Sequence, residues 1–196
     1  MRWQRPRFRT SGGRPLKLVR RVVFTGGPGA GKTALLRALH GRGHVVVDET
    51  ARAIIRSRLD RALSPRPAPL EFAQLVLQRD IDQYDRPFSP SEDVVFFDRG
   101  ILDALCMLDQ VTPLRDEELH AWVSRYPYHR QAFFLPPWEA IYTNDPERDQ
   151  TFEEAVRAHR TLTEWYRRCR YDVVEVPRAS IEERCAFVLR ALGQDA

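Results

Sequence analysis

The segment Gly26-Gly27-Pro28-Gly29-Ala30-Gly31-Lys32-Thr33 narrows the choice of fold more than any other feature of the chain. It has the spacing G-x-x-x-x-G-K-[ST], and it lies between a near-continuous apolar run over residues 18–25 and a helical segment over 32–40. Glycines at these positions let successive backbone N–H groups turn toward a polyanion, and the helix N-terminus adds its partial positive charge. A lysine at position 32 reaches the β- and γ-phosphates of a nucleoside triphosphate, and a hydroxyl at position 33 ligates Mg²⁺. Lys32 is one of only two lysines beside 29 arginines, so its presence here fits a need for a compact ammonium where a planar fork would not serve. All eight residues are therefore expected to bind nucleotide, with Thr33 also a metal ligand.

Around this loop, short apolar runs alternate with stretches of helical periodicity, the pattern of a parallel sheet covered on both faces. Strands are expected at 18–25, 44–47, 94–97, 131–135 and 172–176. Helices are expected at 32–40, 51–63, 70–84, 101–108, 113–124, with Thr112 as N-cap, and about 151–169. A last helix should begin at the capping box Ser180-Ile181-Glu182-Glu183, as the sixth begins at Thr151-Phe152-Glu153-Glu154. The expected fold is α/β, a doubly wound five-stranded parallel sheet in the order 2-3-1-4-5. Its P-loop follows the first strand, as in P-loop NTPases of the nucleoside- and nucleotide-kinase type.

At 196 residues the chain fits one domain, read as 17–196, preceded by a basic arm over 1–16. Residues 1–21 hold eight of the cationic side chains and no acid, so the net charge of +4 leaves about −4 for the remainder. That acidic body argues against nucleic acid as partner, whereas the arm could meet a lipid surface or a protein. Cys106, Cys169 and Cys185 share no metal-like spacing. They fit a reducing cytoplasm, and no apolar run approaches the roughly 18 residues of a membrane span.

Two apolar strands end in acid, Val45-Val46-Val47-Asp48-Glu49 and Val94-Val95-Phe96-Phe97-Asp98, and either could pass for the carboxylate that serves Mg²⁺. With the order 2-3-1-4-5 the third strand lies beside the P-loop strand, which makes Asp98 the metal carboxylate. Asp48 and Glu49 then stand further out, where a phosphoryl acceptor binds. Glu49, ahead of Asp48, is the expected proton acceptor for the attacking hydroxyl. Arg52, one helical turn on, is placed to orient that carboxylate or to bind an anionic substrate group. Arg99 follows Asp98 at the rim where open sheets of this type bind ligands, as a catalytic and substrate-binding residue, with Asp103 as a further substrate contact. The loop over 136–150 is long enough to be a lid. From it, Arg148 is expected to reach the transferring phosphate, ahead of Arg157 and Arg160 on the following helix. Trp138 and Tyr142 are candidates to line the acceptor site or to pack in the core.

Taken together, the P-loop, Glu49-Thr50-Ala51-Arg52, Asp98-Arg99-Gly100 and Leu135-Pro136-Pro137-Trp138 resemble the small single-domain AAA-type ATPases grouped with the ribosylnicotinamide kinase domain of NadR. The resemblance spans about residues 18–193 and implies the nucleotide-kinase subclass, with ATP and Mg²⁺ as cofactors. The chain has no room for the helical lid domain of AAA+ motors. By analogy with such kinases, the nucleotide base sits at the loop 177–179, with Arg178. No guanine-reading N/T-K-x-D motif is present, so ATP is favoured over GTP without excluding it. The leading expectation is a phosphotransferase acting on a small hydroxyl-bearing acceptor, for instance a nucleoside or ribosyl compound. The alternative is a nucleotide-switched protein that hydrolyses slowly and binds a protein or phosphoinositide. The sequence does not fix an oligomeric state.

Overall fold

A computed structural model describes residues 19–89, 91–142 and 151–194. The 1–16 arm and Arg148 lie outside the described residues. Five parallel strands run in the order β2-β3-β1-β4-β5, the order expected from the sequence. They are β1 Arg20–Gly26, β2 Val45–Val47, β3 Val94–Asp98, β4 Gln131–Leu135 and β5 Asp172–Glu175. The helices are α1 Lys32–Gly41, α2 Thr50–Leu59, α3 Pro69–Tyr84, α4 Ile101–Asp109, α5 Asp116–Arg125, α6 Phe152–Arg168 and α7 Ile181–Ala191.

Alternation along the central strands separates two cores, because successive side chains point to opposite faces. Val22 and Phe24 of β1, with Phe96, Phe133 and Leu135, pack against Leu35, Leu36 and Leu39 of α1 and Val188 and Leu189 of α7. On the other face Val23, Val95, Phe97 and Phe134 meet the buried residues of α2, α3, α4 and α6. Every residue of β3 is buried, as in a parallel strand covered on both sides. Burying each of its phenylalanines contributes roughly 1.5–3 kcal/mol.

Two helices depart from their expected bounds. The second ends at Leu59 instead of 63, because the Leu63 amide turns back to the Arg58 carbonyl, the Arg58 guanidinium holds the Ser64 carbonyl, and Ala62 is left-handed at φ 54°. The fifth starts at Asp116, so Thr112 is not its N-cap. The Thr112 amide closes instead on the Leu108 carbonyl, and Asp109 takes the Leu114 amide, which uses 112–114 to terminate α4. The caps at Thr151 and Ser180 form as expected, each accepting the amide three residues on. Thus α6 and α7 start at defined points beside the P-loop. All three cysteines are buried and free. Burial pushes the thiols of Cys106 and Cys169 up to about 12, so they behave as apolar packing.

Candidate active site

Backbone geometry builds the site first. Strand β1 delivers Gly26 at φ 133°, where a Cβ would lie 2.5 Å from the Leu135 carbonyl oxygen of neighbouring β4. Gly29 and Gly31 follow at φ 73° and 77°, a left-handed alternation that turns backbone N–H groups into a concave nest. Helix α1 then starts with no side-chain cap and no acid in its first turn. Its leading N–H groups are left for an outside acceptor, and an anion at that position fits. The loop is held from behind by Arg184 of α7, which is 3% exposed and donates to the Ala30 carbonyl at 3.0 Å. Tyr142 packs its ring against Gly29, and Ile141 lies over Gly31.

Charged side chains converge on the loop from the ends of two strands, β2 and β3. Register pairs Asp98 of β3 with Phe24 of β1, which puts its carboxylate beside Lys32, with Nζ 2.5 Å from Oδ1. Burial pushes the Asp98 carboxyl up from its ordinary range, against the pull of the Lys32 ammonium. The same Nζ is 3.9 Å from Glu49, just past β2. Although β2 is one strand further from the P-loop, Glu49 therefore reaches back to it, closer than the strand order by itself implied. Asp48 is exposed.

Arg99 ties these parts together. It sits in the left-handed region at φ 65°, and its guanidinium donates to Glu49 Oε1 at 3.0 Å, Asp103 Oδ1 at 3.0 Å and the Gly26 carbonyl at 2.8 Å. Burial would lower its pKa, but the Glu49, Asp103 and Asp98 carboxylates raise it above the ordinary arginine value. Asp103 is buried and also accepts from Thr25 Oγ1 at 2.5 Å, Tyr166 at 2.7 Å and the Gly100 amide at 3.3 Å. It is a junction between β1, α4 and α6 that meets the cavity described next with one edge.

Glu49 and Arg99 open on a cavity of about 430 Å³. Its apolar lining comes from Ile55, Phe72, Met107 and Leu162, and its polar lining includes Arg52, Arg66, Gln110 and Arg157. Arg52 Nε lies 3.5 Å from Glu49 Oε2, where an orienting role was expected. Phe72 and Gln110 were not legible as site residues, since their helical spacing reads equally as core or surface. Trp138 and Tyr142 do not line this cavity. Strand β4 lies beside β1, so its exit runs over the P-loop, where the Arg184 guanidinium sits 5.7 Å from the Trp138 ring centroid. Arg160 is exposed and faces Glu164. Arg178, in the loop after β5, donates to the Pro137 carbonyl at 3.1 Å, beside a shallow pocket of Pro136, Glu175, Val176 and Pro177.

The fit of Mg²⁺ rests on the donors that the site offers. Among the described residues no group of three or more His, Cys, Asp and Glu could hold a metal unaided. One buried carboxylate and one hydroxyl beside a phosphate nest do suit Mg²⁺, which is commonly held by one or two protein oxygens together with substrate phosphates.

Comparison with known proteins bears on the fold and the family. The deoxyadenosine kinase of M. mycoides, solved with bound dATP, superposes with a TM-score of 0.59 at 11% identity, over 89% of this chain and 100% of that one. The shikimate kinase of Aquifex aeolicus superposes with a TM-score of 0.52 at 18% identity, over 88% of this chain and 96% of that one. These likenesses show the shared P-loop kinase fold. A search of curated proteins found no match. A family model described as an AAA domain matches residues 21–184, most of the chain, and the protein belongs to that family.

Proposed function

We propose that the protein is a Mg²⁺-dependent phosphotransferase that moves the γ-phosphate of ATP to a hydroxyl of a small acceptor bound in the 430 Å³ cavity. The carrying observation is the place of Glu49. Its carboxylate lines the cavity while lying 3.9 Å from the P-loop ammonium, so one group borders both acceptor and phosphate. Glu49 takes the hydroxyl proton as that oxygen bonds to the γ-phosphorus, and the bond to the β,γ-bridging oxygen breaks to release ADP. Lys32 leaves Asp98 for the phosphates. Arg99 keeps Glu49 aimed through its hydrogen bond, and Arg52 shares that carboxylate. Thr33 and Asp98 would hold Mg²⁺, which supplies charge neutralisation on the phosphates. Arg178 supports the base at the β5 exit, and Arg148 remains the proposed lid arginine.

The resemblance of the motifs to small AAA-type ATPases grouped with the ribosylnicotinamide kinase domain of NadR favours a ribosyl or nucleoside acceptor. The two superposed kinases are named for deoxyadenosine and shikimate, so the fold alone leaves the acceptor open. The basic arm carries the second reading, a nucleotide-switched binder in which deleting residues 1–16 weakens liposome or partner binding and leaves hydrolysis unchanged. The three free, buried thiols fit a cytoplasmic location.

A screen of nucleosides and small hydroxyl metabolites with labelled ATP, reading transfer against release to water, tests the first reading. Glu49→Gln should lower transfer by about 10²–10⁴-fold while nucleotide affinity stays nearly unchanged. Loss of nucleotide binding in that variant, or hydrolysis without transfer across the panel, would refute the assignment.

A further inference from the structure

Arg184 is 3% exposed, near the start of α7 and against Gly31, the residue that opens α1. A cation there meets the positive ends of two helix dipoles, the unfavourable end of each. A Cβ on Gly31 would lie 3.0 Å from its Nη1 and 3.2 Å from its Nη2, so the guanidinium is part of the P-loop wall. Among the described residues it donates to the Ala30 carbonyl at 3.0 Å, its buried Nε has no hydrogen-bond partner, and no carboxylate pairs with it. Glu182 and Glu183, which precede it, are exposed, and Glu183 is engaged by Ser180. The Trp138 ring centroid, 5.7 Å away, answers a cation only in part. Lys32 is placed differently, with Asp98 and Glu49 both within 3.9 Å of its ammonium.

A buried charge without an opposite charge is costly to the folded chain. Holding one loop carbonyl does not require it, since a neutral donor makes that bond too. We propose that Arg184 acts beside Lys32 as a phosphate-directed cation of the P-loop, its buried charge answered by the polyphosphate of the bound nucleotide. It is a positioning residue that acts across Ala30 and Gly31, and it attracts the anion while the Lys32 ammonium is still held by Asp98. This rests on the nucleotide-binding part of the reading above and is independent of transfer to an acceptor.

Calorimetric binding of Mg·ATP and of magnesium tripolyphosphate, which has no base, tests it on the full chain. Arg184→Lys keeps the charge and a donor, Arg184→Gln keeps a donor alone, and Arg184→Met keeps neither. Both ligands should bind about tenfold or more weakly to the two neutral variants, the scale of an interaction made by a charged group. Arg184→Lys should recover most of that loss. The neutral variants differ in shape, so a folding failure in one, read from its melting curve, leaves the other to decide. Three results overturn the proposal. Tripolyphosphate bound as tightly by the neutral variants as by wild type removes the charge from the phosphate site. A loss confined to ATP puts Arg184 at the base. Equal losses in Arg184→Lys and Arg184→Gln reduce it to packing. Labelled-ATP transfer by the same chains separates the two claims. Charge-dependent tripolyphosphate binding with no transfer to any acceptor sinks the phosphotransferase reading and leaves the role of Arg184 standing. Transfer with an unchanged KM for ATP in the neutral variants does the reverse.

Discussion

Arg99 shows how much of the site depends on one planar fork. Its three donors hold a carboxylate from the end of β2, a carboxylate on α4 and the last carbonyl of β1. A lysine would keep the charge but offer a single point of contact. Arg99→Lys should therefore lower kcat by about 10–100-fold through lost hydrogen bonds to charged partners, with a smaller change in the KM for ATP. A loss confined to KM would argue against this positioning role. Asp80 of α3 is buried, and burial pushes its carboxyl up to about 7, opposed by a hydrogen bond from Thr50 and by Arg99 and reinforced by Asp103 and Glu49. The sign follows from linkage. Between the ordinary carboxylate range near 4 and the folded value near 7, the folded state keeps a proton that the unfolded chain releases, so this group's contribution falls as pH rises through that window. Urea unfolding at pH 5 to 8 should show wild type losing stability relative to Asp80→Asn as pH increases. Parallel curves would refute the buried, protonated assignment.

Helix α7 has two jobs at the level of elements, covering one face of the sheet and bracing the P-loop. The brace is Arg184, whose buried guanidinium donates to Ala30 and has its pKa lowered by burial. Arg184→Met keeps most of the stem's apolar volume and removes the donor. It should raise the KM for ATP by about tenfold, the scale of one hydrogen bond made by a charged group, with kcat less affected. An unchanged KM would mean that the loop holds its shape without the brace. The start of α7 was legible because a serine followed three residues later by glutamate is a local signal, read within one turn. The start of α5 was not, because Thr112 and Pro113 have cap-like identities yet lie within hydrogen-bonding reach of the end of α4. In the site, Lys32, Glu49, Asp98 and Arg99 were legible from motif spacing and strand order. Arg184, Phe72 and Asp80 were not, since their roles arise where distant helices meet.

In the whole molecule, the nucleotide site joins pieces that the two cores hold separately. The P-loop and α1 belong to one face of the sheet, while α2, α4 and α6, which carry Arg52, Asp103 and Arg157, belong to the other. A ligand that binds only when these parts are assembled stabilises the folded chain by mass action, by about 2.7 kcal/mol at 100 times its Kd. For a chain of this length that corresponds to roughly 5–10 °C in Tm. Lys32 is a poor probe of this effect, because removing it strands the buried Asp98 carboxylate and lowers stability before any ligand is added. Thr33 is better placed, being half-buried at the first turn of α1 with no part in that ion pair. Thr33→Ala should leave the Tm of the free protein nearly unchanged and keep the small shift produced by ATP in EDTA. It should lose most of the extra shift that Mg²⁺ adds in wild type. If Mg²⁺ adds as much in the variant, the hydroxyl is not a metal ligand, and Asp98 alone must account for the metal's contribution.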